Sequence, residues 1–165
     1  MEVSLEPFTG EHIAATFGWI KDPEFRRLFL MRGNPEWKEH LSYFDKTLKD
    51  SSQAVFAIKA DNIHIGNCGL KNISNLDKKA ELWIYIGESS MRMKGIGGKA
   101  LRLLINKAFK EFSLKKIVVH VADFNVGAIK MYEKAGFHRV RLSPEDIDTW
   151  SDSGCDILKM ALWVG

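Results

Sequence analysis

The stretch Arg92-Met93-Lys94-Gly95-Ile96-Gly97-Gly98, residues 92–98, decides how the rest of the chain is read. It separates a strand-like run over residues 80–88 from a helical stripe of Ala100, Leu101, Leu104, Ile105, Ala108, Phe109 and Phe112. Glycines at such a junction do not serve core packing. Without a Cβ they let successive backbone N–H groups face one concavity, and the helix that follows adds its positive end. The loop suits a pyrophosphate, with Arg92 and Lys94 adding point charges; the plainer alternative is a flexible loop with a glycine-softened helix start. A nucleotide P-loop is rejected, since Gly98-Lys99 runs into Ala100 and the position five before Gly98 is Met93. The dinucleotide fingerprint is the stronger competitor, because Gly95-x-Gly97-x-x-Ala100 fits it and Asp123 ends the next strand. Against it, Ser89 to Lys94 intervene between strand and first glycine, and the 42 residues after Asp123 are too few for a second nucleotide-binding half.

Working outward, Val3 and Leu5 alternate with polar neighbours as a short first strand. From Thr9 onward Ile13, Phe17 and Ile20 fall at helical spacing, and Pro23 opens a second helical piece over Glu24 to Met31. Asn34-Pro35 predicts a helix start, with Trp37, Leu41, Phe44 and Leu48 sharing its apolar face to Asp50. Residues 53–60 and 63–73 around Asp61-Asn62 predict an antiparallel hairpin, and Gly66 and Gly69 mark a bulge or a close backbone approach. Asn75 to Lys79 turns the chain into the strand that carries Glu81. Lys115 to Asp123 is a short β-branched strand, and Val126 to Ala135 returns to helical period before stopping at Gly136. Phe137 to Leu142 and Ile157 to Val164 close the chain as strands joined by a polar loop containing Trp150. This order predicts one three-layer α/β domain with a mixed sheet over residues 1–165.

Composition narrows the function classes. The chain has 165 residues, formal charge +3, 45% hydrophobic and 27% charged residues and two cysteines, the profile of a soluble domain that builds its core without staples. Apolar runs stay far below the roughly 18 residues of a membrane span, and Met1 to Phe8 lacks the basic start and apolar core of a signal peptide. A cytoplasmic setting without membrane contact is expected, with Cys68 and Cys155 as small buried hydrophobes among strand residues. Five histidines without ligand spacing predict no metal. Lys94, Lys99, Arg102, Lys107, Lys110, Lys115 and Lys116 form a basic stripe, yet no aromatic-interleaved single-strand motif accompanies it. Nucleic acid is therefore not the expected partner, and a small anionic ligand fits the charge.

A second motif follows the first: Asn125-x-x-Ala128-x-x-x-Tyr132-Glu133-Lys134-x-Gly136-Phe137. In order, and each on the expected element, the two resemble the core motifs of the GCN5-related N-acetyltransferases (GNAT). The likeness runs from Ile63 to the C-terminus. Through the Glu81 strand and the Cys155 to Leu162 segment it is similar to the branch that holds ribosomal-protein N-terminal, polyamine and nucleotide-linked amino-sugar acetyltransferases. The resemblance implies a GNAT-like fold whose central mixed sheet is splayed and flanked by helices, with acetyl-CoA as co-substrate and a primary amine as acceptor. It implies that residues 92–98 hold the donor's pyrophosphate. The pantetheine arm would pair, strand-like, with Ile84, Tyr85 and Ile86, where family members carry a bulge, and Asn125 and Lys134 would also face coenzyme A.

Acetyl transfer to an amine needs a held donor, a neutral amine, a stabilised carbonyl oxygen and a proton for the leaving thiolate. Tyr132 is the candidate acid, since a phenol of pKa about 10 can serve a thiolate whose thiol lies at about 8.5. By spacing alone it is equally an aromatic on a helical core face, as Asn125 is equally a plain helix cap. Glu81, at the start of the donor strand, is the candidate base, directly or through water; Cys68 is assigned to the core. The N-terminal helices stand where the resemblance puts the acceptor. There Trp19, Arg26, Arg27, Trp37 and His40 fit a nucleotide-linked amino sugar, because arginine pairs with phosphate and tryptophan stacks on a base or sugar. A polyamine asks instead for concentrated carboxylates, and a peptide N-terminus for a groove. A homodimer is compatible with this reading, and a coenzyme A-binding sensor without turnover is the non-enzyme alternative.

Overall fold

The turn at Asp61-Asn62 frames the computed structural model, which describes residues 1–165. Both residues take left-handed φ, 48° and 66°, which matches the twist of the strands they join. These are β2 (Ala54–Ala60) and β3 (Ile63–Ser74). β1 (Val3–Pro7) pairs antiparallel with β2, and β4 (Lys79–Ile86) pairs antiparallel with β3. Helices α1 (Ile13–Ile20), α2 (Pro23–Leu28) and α3 (Trp37–Lys49) lie between β1 and β2 in sequence. α4 (Ile96–Asn106) carries the chain across to β5 (Lys116–Ala122), which runs parallel to β4. After α5 (Val126–Lys134), the strands β6 (His138–Val140) and β7 (Ile157–Trp163) complete a mixed sheet of order β1-β2-β3-β4-β5-β7-β6.

Period-two alternation along β4 explains the three layers. Leu82, Ile84 and Ile86 join Leu101 and Leu104 of α4 and Ile129 and Tyr132 of α5 in a core of 22 buried residues. Trp83 and Tyr85 serve two smaller clusters built with Trp19 and Phe25, and with Phe8, Ile13, Phe44 and Val55. The N-terminal helices thus cover one face of the sheet while α4 and α5 supply the other core, as the element order predicts.

The pairing of β4 with β5 is short. Only Lys79↔Lys116, Ala80↔Ile117 and Glu81↔Val118 are in register. Beyond them β4 stays with β3 to Ile86, and β5 stays with β7 to Ala122. The strands therefore diverge, leaving a wedge in mid-sheet with the Leu82 to Ile86 backbone along one side. Close approach of β3 to β4 on the wedge's outer side requires glycine: a Cβ on Gly66 would stand 2.3 Å from the Tyr85 carbonyl oxygen. The bulge expected near Gly66 is here too, Ile65 being the extra residue between the Ile58↔Gly66 and Lys59↔His64 pairs, whereas the bulge that the resemblance implied at Ile84 to Ile86 is not: those residues pair in unbroken register with Cys68, Asn67 and Gly66.

Several sequence expectations are corrected. α2 ends at Leu28 rather than Met31, because Leu30 turns left-handed at φ 54°. α3 begins at Trp37 behind Glu36, and Asn34-Pro35 does not start it. The Arg26 guanidinium donates to the Arg32 and Gly33 carbonyls and holds the preceding segment in a turn. α3 buries His40, Phe44 and Thr47, while Trp37, Leu41 and Leu48 are exposed. Phe44 stacks on Phe8 at 4.5 Å, and that contact sets the rotation of the helix against its apolar stripe. The stripe ending at Phe112 leaves α4 at Asn106 and continues as a wider π turn, Lys107–Glu111. β6 covers three residues rather than the six of Phe137 to Leu142. The loop around Trp150 contains a short helix, α6 (Pro144–Thr149), started by a reciprocal Ser143/Asp146 cap with Pro144 in its first turn. Cys68 is buried in β3, but Cys155 is only half-buried in the loop ahead of β7.

Candidate active site

The glycine loop is shaped by two left-handed residues, Met93 at φ 63° and Gly95 at φ 79°. A non-glycine residue in this region costs on the order of 1–3 kcal/mol and persists where the surroundings over-determine it. Gly95 caps α4, and the first amide with an intrahelical partner is that of Lys99, which donates to the Gly95 carbonyl at 3.2 Å. The amides of Ile96, Gly97 and Gly98 precede it and have no acceptor in the helix. A Cβ on Gly98 would meet nothing within 4 Å, whereas one on Gly97 would lie 3.1 Å from the Met131 sulfur. Lys94 is exposed, as is the Met93 side chain. Arg92 is committed elsewhere. Its Nε donates to the Ile86 carbonyl at 2.8 Å, a second nitrogen to Gly87 at 3.3 Å, and the guanidinium covers the Phe25 ring. It ties the loop to the end of β4 rather than offering a free charge.

A cavity of about 510 Å³ opens into the wedge. Residues 81–85 of β4 and 120–122 of β5 line it, together with Asn125 and Tyr132 of α5, the 28–36 segment and the inner face of α3. Seven of the residues singled out from sequence therefore share one space: Glu81, Ile84, Tyr85, Asn125, Tyr132, Arg26 and His40. Ile86, Lys134, Trp19, Arg27 and Trp37 are not among its lining residues. Trp19 is buried against Gly87, its indole N–H donating to Glu88 at 2.9 Å. Arg27 pairs with Glu24 at 2.7 Å and lies over the Phe124 ring. Trp37 is exposed and Lys134 sits on the outside of α5. Arg26 reaches the wall, but its guanidinium is held by backbone carbonyls. His40 is buried beside the Ile13 carbonyl, and that burial pulls its pKa down despite the carbonyl contact.

Tyr132 lines the cavity and is 5% exposed. Burial, and after it the negative charge of Glu81, push its pKa up, so the phenol keeps its proton well past neutral pH. Asn125 uses its side-chain oxygen to accept the Ala128 amide at 3.3 Å, the helix-cap role. Tyr85 is fixed from behind: Asn67, fully buried in β3, donates one amide proton to the Tyr85 hydroxyl and the other to Thr16, both at 2.8 Å, and accepts from His64. Burial raises the Tyr85 pKa, with the Asn67 contact opposing, and the ring forms a neutral wall.

Glu81 does not stand alone. One oxygen lies 2.9 Å from Lys71 Nζ and the other 2.5 Å from His120 Nδ1. Burial disfavours its charge, but His120 and Lys71 outweigh that and hold the carboxyl below the usual range. His120 Nε2 in turn lies 2.9 Å from Asp146, which also takes Lys159 at 2.7 Å. Burial works against the Asp146 charge, while Lys159, the Ser143 cap and His120 pull its pKa well below normal. Neither His120 nor Asp146 emerges from the sequence reading. The available signal was a lone imidazole two residues past Val118 in a β-branched strand, and a Ser-Pro-x-Asp cap later in the chain. Elsewhere, Glu6, Glu11 and His12 cluster closely enough to share an ion. Glu6 is already paired with Lys59 at 2.8 Å, and the Thr9 amide donates to His12 Nδ1, leaving Nε2 as the donor to Glu6.

Comparison with known proteins agrees with this geometry. The family description "Acetyltransferase (GNAT) domain" matches residues 2–138. A spermidine N(1)-acetyltransferase of Escherichia coli is 30% identical over 135 residues, covering 82% of this chain and 72% of the relative. An uncharacterized protein of Methanocaldococcus jannaschii is 24% identical over 88% of this chain, which spans only 30% of that relative's length. Among solved structures, the spermidine N-acetyltransferase from Vibrio cholerae, in complex with CoA and spermine, superposes with a TM-score of 0.85 over 98% of this chain and 95% of that one, at 18% identity. No helix is long and apolar enough to cross a membrane.

Proposed function

The chain belongs to the GNAT family of acetyl-CoA-dependent N-acetyltransferases, and on that premise we propose that it moves an acetyl group from acetyl-CoA to a primary amine bound in the wedge cavity. The wedge carries the proposal: β4 parts from β5 after Glu81, and the edge so freed opens onto the space that holds Tyr132 and Glu81. The pantetheine arm adds to that edge as a strand would, through main-chain hydrogen bonds to Ile84, Tyr85 and Ile86. The unpartnered amides at the start of α4 receive the pyrophosphate, where backbone N–H groups and the helix end favour anions. An edge amide polarises the thioester carbonyl as the amine attacks. Glu81 takes the amine's proton, and Tyr132 donates to the sulfur as the carbon–sulfur bond breaks, regaining a proton from the acetylated nitrogen. The thiolate leaves into the same water-poor wedge that raises the phenol, so desolvation lifts the proton affinity of both partners together.

The wall of the cavity bears on the acceptor. A nucleotide-linked amino sugar asks for free guanidinium groups, yet Arg26 is held by carbonyls, Arg27 pairs with Glu24 and Arg32 with Asp152 at 2.7 Å. Of the lining charges that no ion pair engages, Arg26 is held by carbonyls, which leaves Glu36 and Glu39 free of a partner. That balance supports an amine carrying a second cationic group, a polyamine-like acceptor, over the sugar nucleotide. The test is thiol release from acetyl-CoA by the purified protein with spermidine, UDP- and dTDP-linked amino sugars and short peptides. Turnover with any amine supports acetyl transfer, and preference for spermidine supports the acidic rim. Turnover only with sugar nucleotides overturns the acceptor, and silence across the panel overturns the activity.

A further inference from the structure

His120 Nδ1 is the buried side-chain polar atom of this protein that no hydrogen bond satisfies. It lies instead in ion-pair contact with Glu81, at the cavity wall. Its surroundings define its role. Asp146 Oδ1 faces His120 Nε2 at 2.9 Å, while Asp146 Oδ2 accepts from Lys159 at 2.7 Å and from the Ser143 amide at 2.8 Å. A carboxylate so held is an acceptor, so Nε2 carries a proton and Nδ1 is the nitrogen left to exchange one with Glu81. Nδ1 stands 2.5 Å from Glu81 Oε1, outside hydrogen-bond alignment but close enough for one proton to pass between them.

We infer that Glu81, His120 and Asp146 form a proton relay that removes the proton of the acceptor's ammonium. The inference rests on the acetyl-transfer reading and is indifferent to which amine is used. In the step, an N–H bond of the ammonium breaks and the proton passes by Glu81 Oε1 to His120 Nδ1. The electron pair left on nitrogen then attacks the thioester carbonyl. Nε2 keeps its proton on Asp146 throughout, and His120 releases to solvent the single proton that acylating an ammonium sets free. The groups that face His120 suit this. Lys71 of β3 and Lys159 of β7 balance Glu81 and Asp146, and a proton on the imidazole is flanked by those two carboxylates. Tyr132 of α5 feels the Glu81 charge, and the Trp150 ring covers the imidazole at 5.9 Å. His120 is a positioning and relay residue; Glu81 alone meets the amine.

The test is steady-state kinetics of the full chain from about pH 6 to 10 with acceptor amines of graded basicity. His120→Gln is expected to lower kcat about 100-fold, within the range for general acid–base groups, with the KM for acetyl-CoA unchanged. The deficit should shrink for less basic amines, and imidazole should restore part of the activity of His120→Ala. Equal kcat and an unmoved pH profile in His120→Gln overturn the relay, as does a loss that neither amine basicity nor imidazole modulates. Should the His120 variants fail to fold, Asp146→Asn serves: a shifted pH profile supports the relay, and a wild-type profile overturns it. A wild-type protein that binds acetyl-CoA and transfers to no amine overturns the acetyl-transfer reading, and the relay with it.

Discussion

Gly98→Ala separates the cost of a glycine from its use. Gly98 stands in the first turn of α4 without a left-handed φ, and an added Cβ meets no atom within 4 Å. In the free protein the change should therefore stabilise, by up to about 1 kcal/mol of helix propensity, or roughly 2–4 °C in Tm for a chain of this size. Gly18→Ala, inside α1 with equally open space, is the control of the same sign. The two diverge when acetyl-CoA is added. At a ligand concentration 100 times the wild-type Kd the stabilisation is about 2.7 kcal/mol, or roughly 5–11 °C. A methyl at Gly98 fills the space in front of the free amides; losing one charged hydrogen bond and lengthening its neighbour costs about 2.7 kcal/mol, a Kd rise of roughly 100-fold. The same ligand concentration then equals the new Kd, and the gain falls to about 0.4 kcal/mol. Thermal unfolding with and without acetyl-CoA reads all of this. A Gly98→Ala protein that is more stable alone and still gains the full ligand shift refutes the loop as a phosphate cradle; one that is less stable alone refutes the reading of the open space.

Tyr132→Phe should retain acetyl-CoA affinity and lower kcat by about 10²–10⁴-fold if the phenol protonates the thiolate; rapid-quench turnover with unchanged rate would remove that role. Gly66→Ala drives a methyl to 2.3 Å from the Tyr85 carbonyl, a backbone clash of about 3 kcal/mol, and should lower Tm by roughly 6–12 °C. Asp146 and Glu81 have depressed folded pKa values, so their stabilisation is present above the unfolded carboxylate range and is lost as pH falls through the folded values. Asp146→Asn should accordingly flatten the loss of Tm on acidification, and a wild-type slope would show that the pair contributes nothing to acid stability.

The parts of this fold legible from sequence are those set by local chemistry. Asp61-Asn62 reads as a tight turn, Gly95 closes the loop ahead of α4 although Gly97 and Gly98 already belong to the first turn of that helix, and Gly136 follows the end of α5 at φ 103°. What failed were readings in which tertiary contacts outweigh local pattern. Trp37, Leu41 and Leu48 look like a core face, but packing of Phe44 on Phe8 turns α3 so that they are exposed. Arg92 and Arg26 look like ligands for phosphate because arginine so often is one; each instead satisfies main-chain carbonyls that the fold leaves open. The α6 cap is local in sequence: Ser143-Pro144-x-Asp146 carries the signature of a helix start inside the stretch expected to be a polar loop.

The site shows the same division at finer scale. Glu81 and Tyr132, singled out by residue type and motif position, both line the cavity. His120 was invisible for a physical reason: its relation to Glu81 exists only through the Glu81↔Val118 register, the last pair before the strands part. Two residues further on, β5 no longer bonds β4, yet the side chain of His120 still lies on the face that Glu81 occupies. The divergence that frees the β4 edge is thus also what brings a carboxylate and an imidazole together at the mouth of the wedge. Separating β4 from β5 one residue earlier would be expected to disconnect Glu81 from His120 while leaving the free edge intact. Edge and proton path are therefore two consequences of one register, and variants that shift it should lose turnover before they lose the donor.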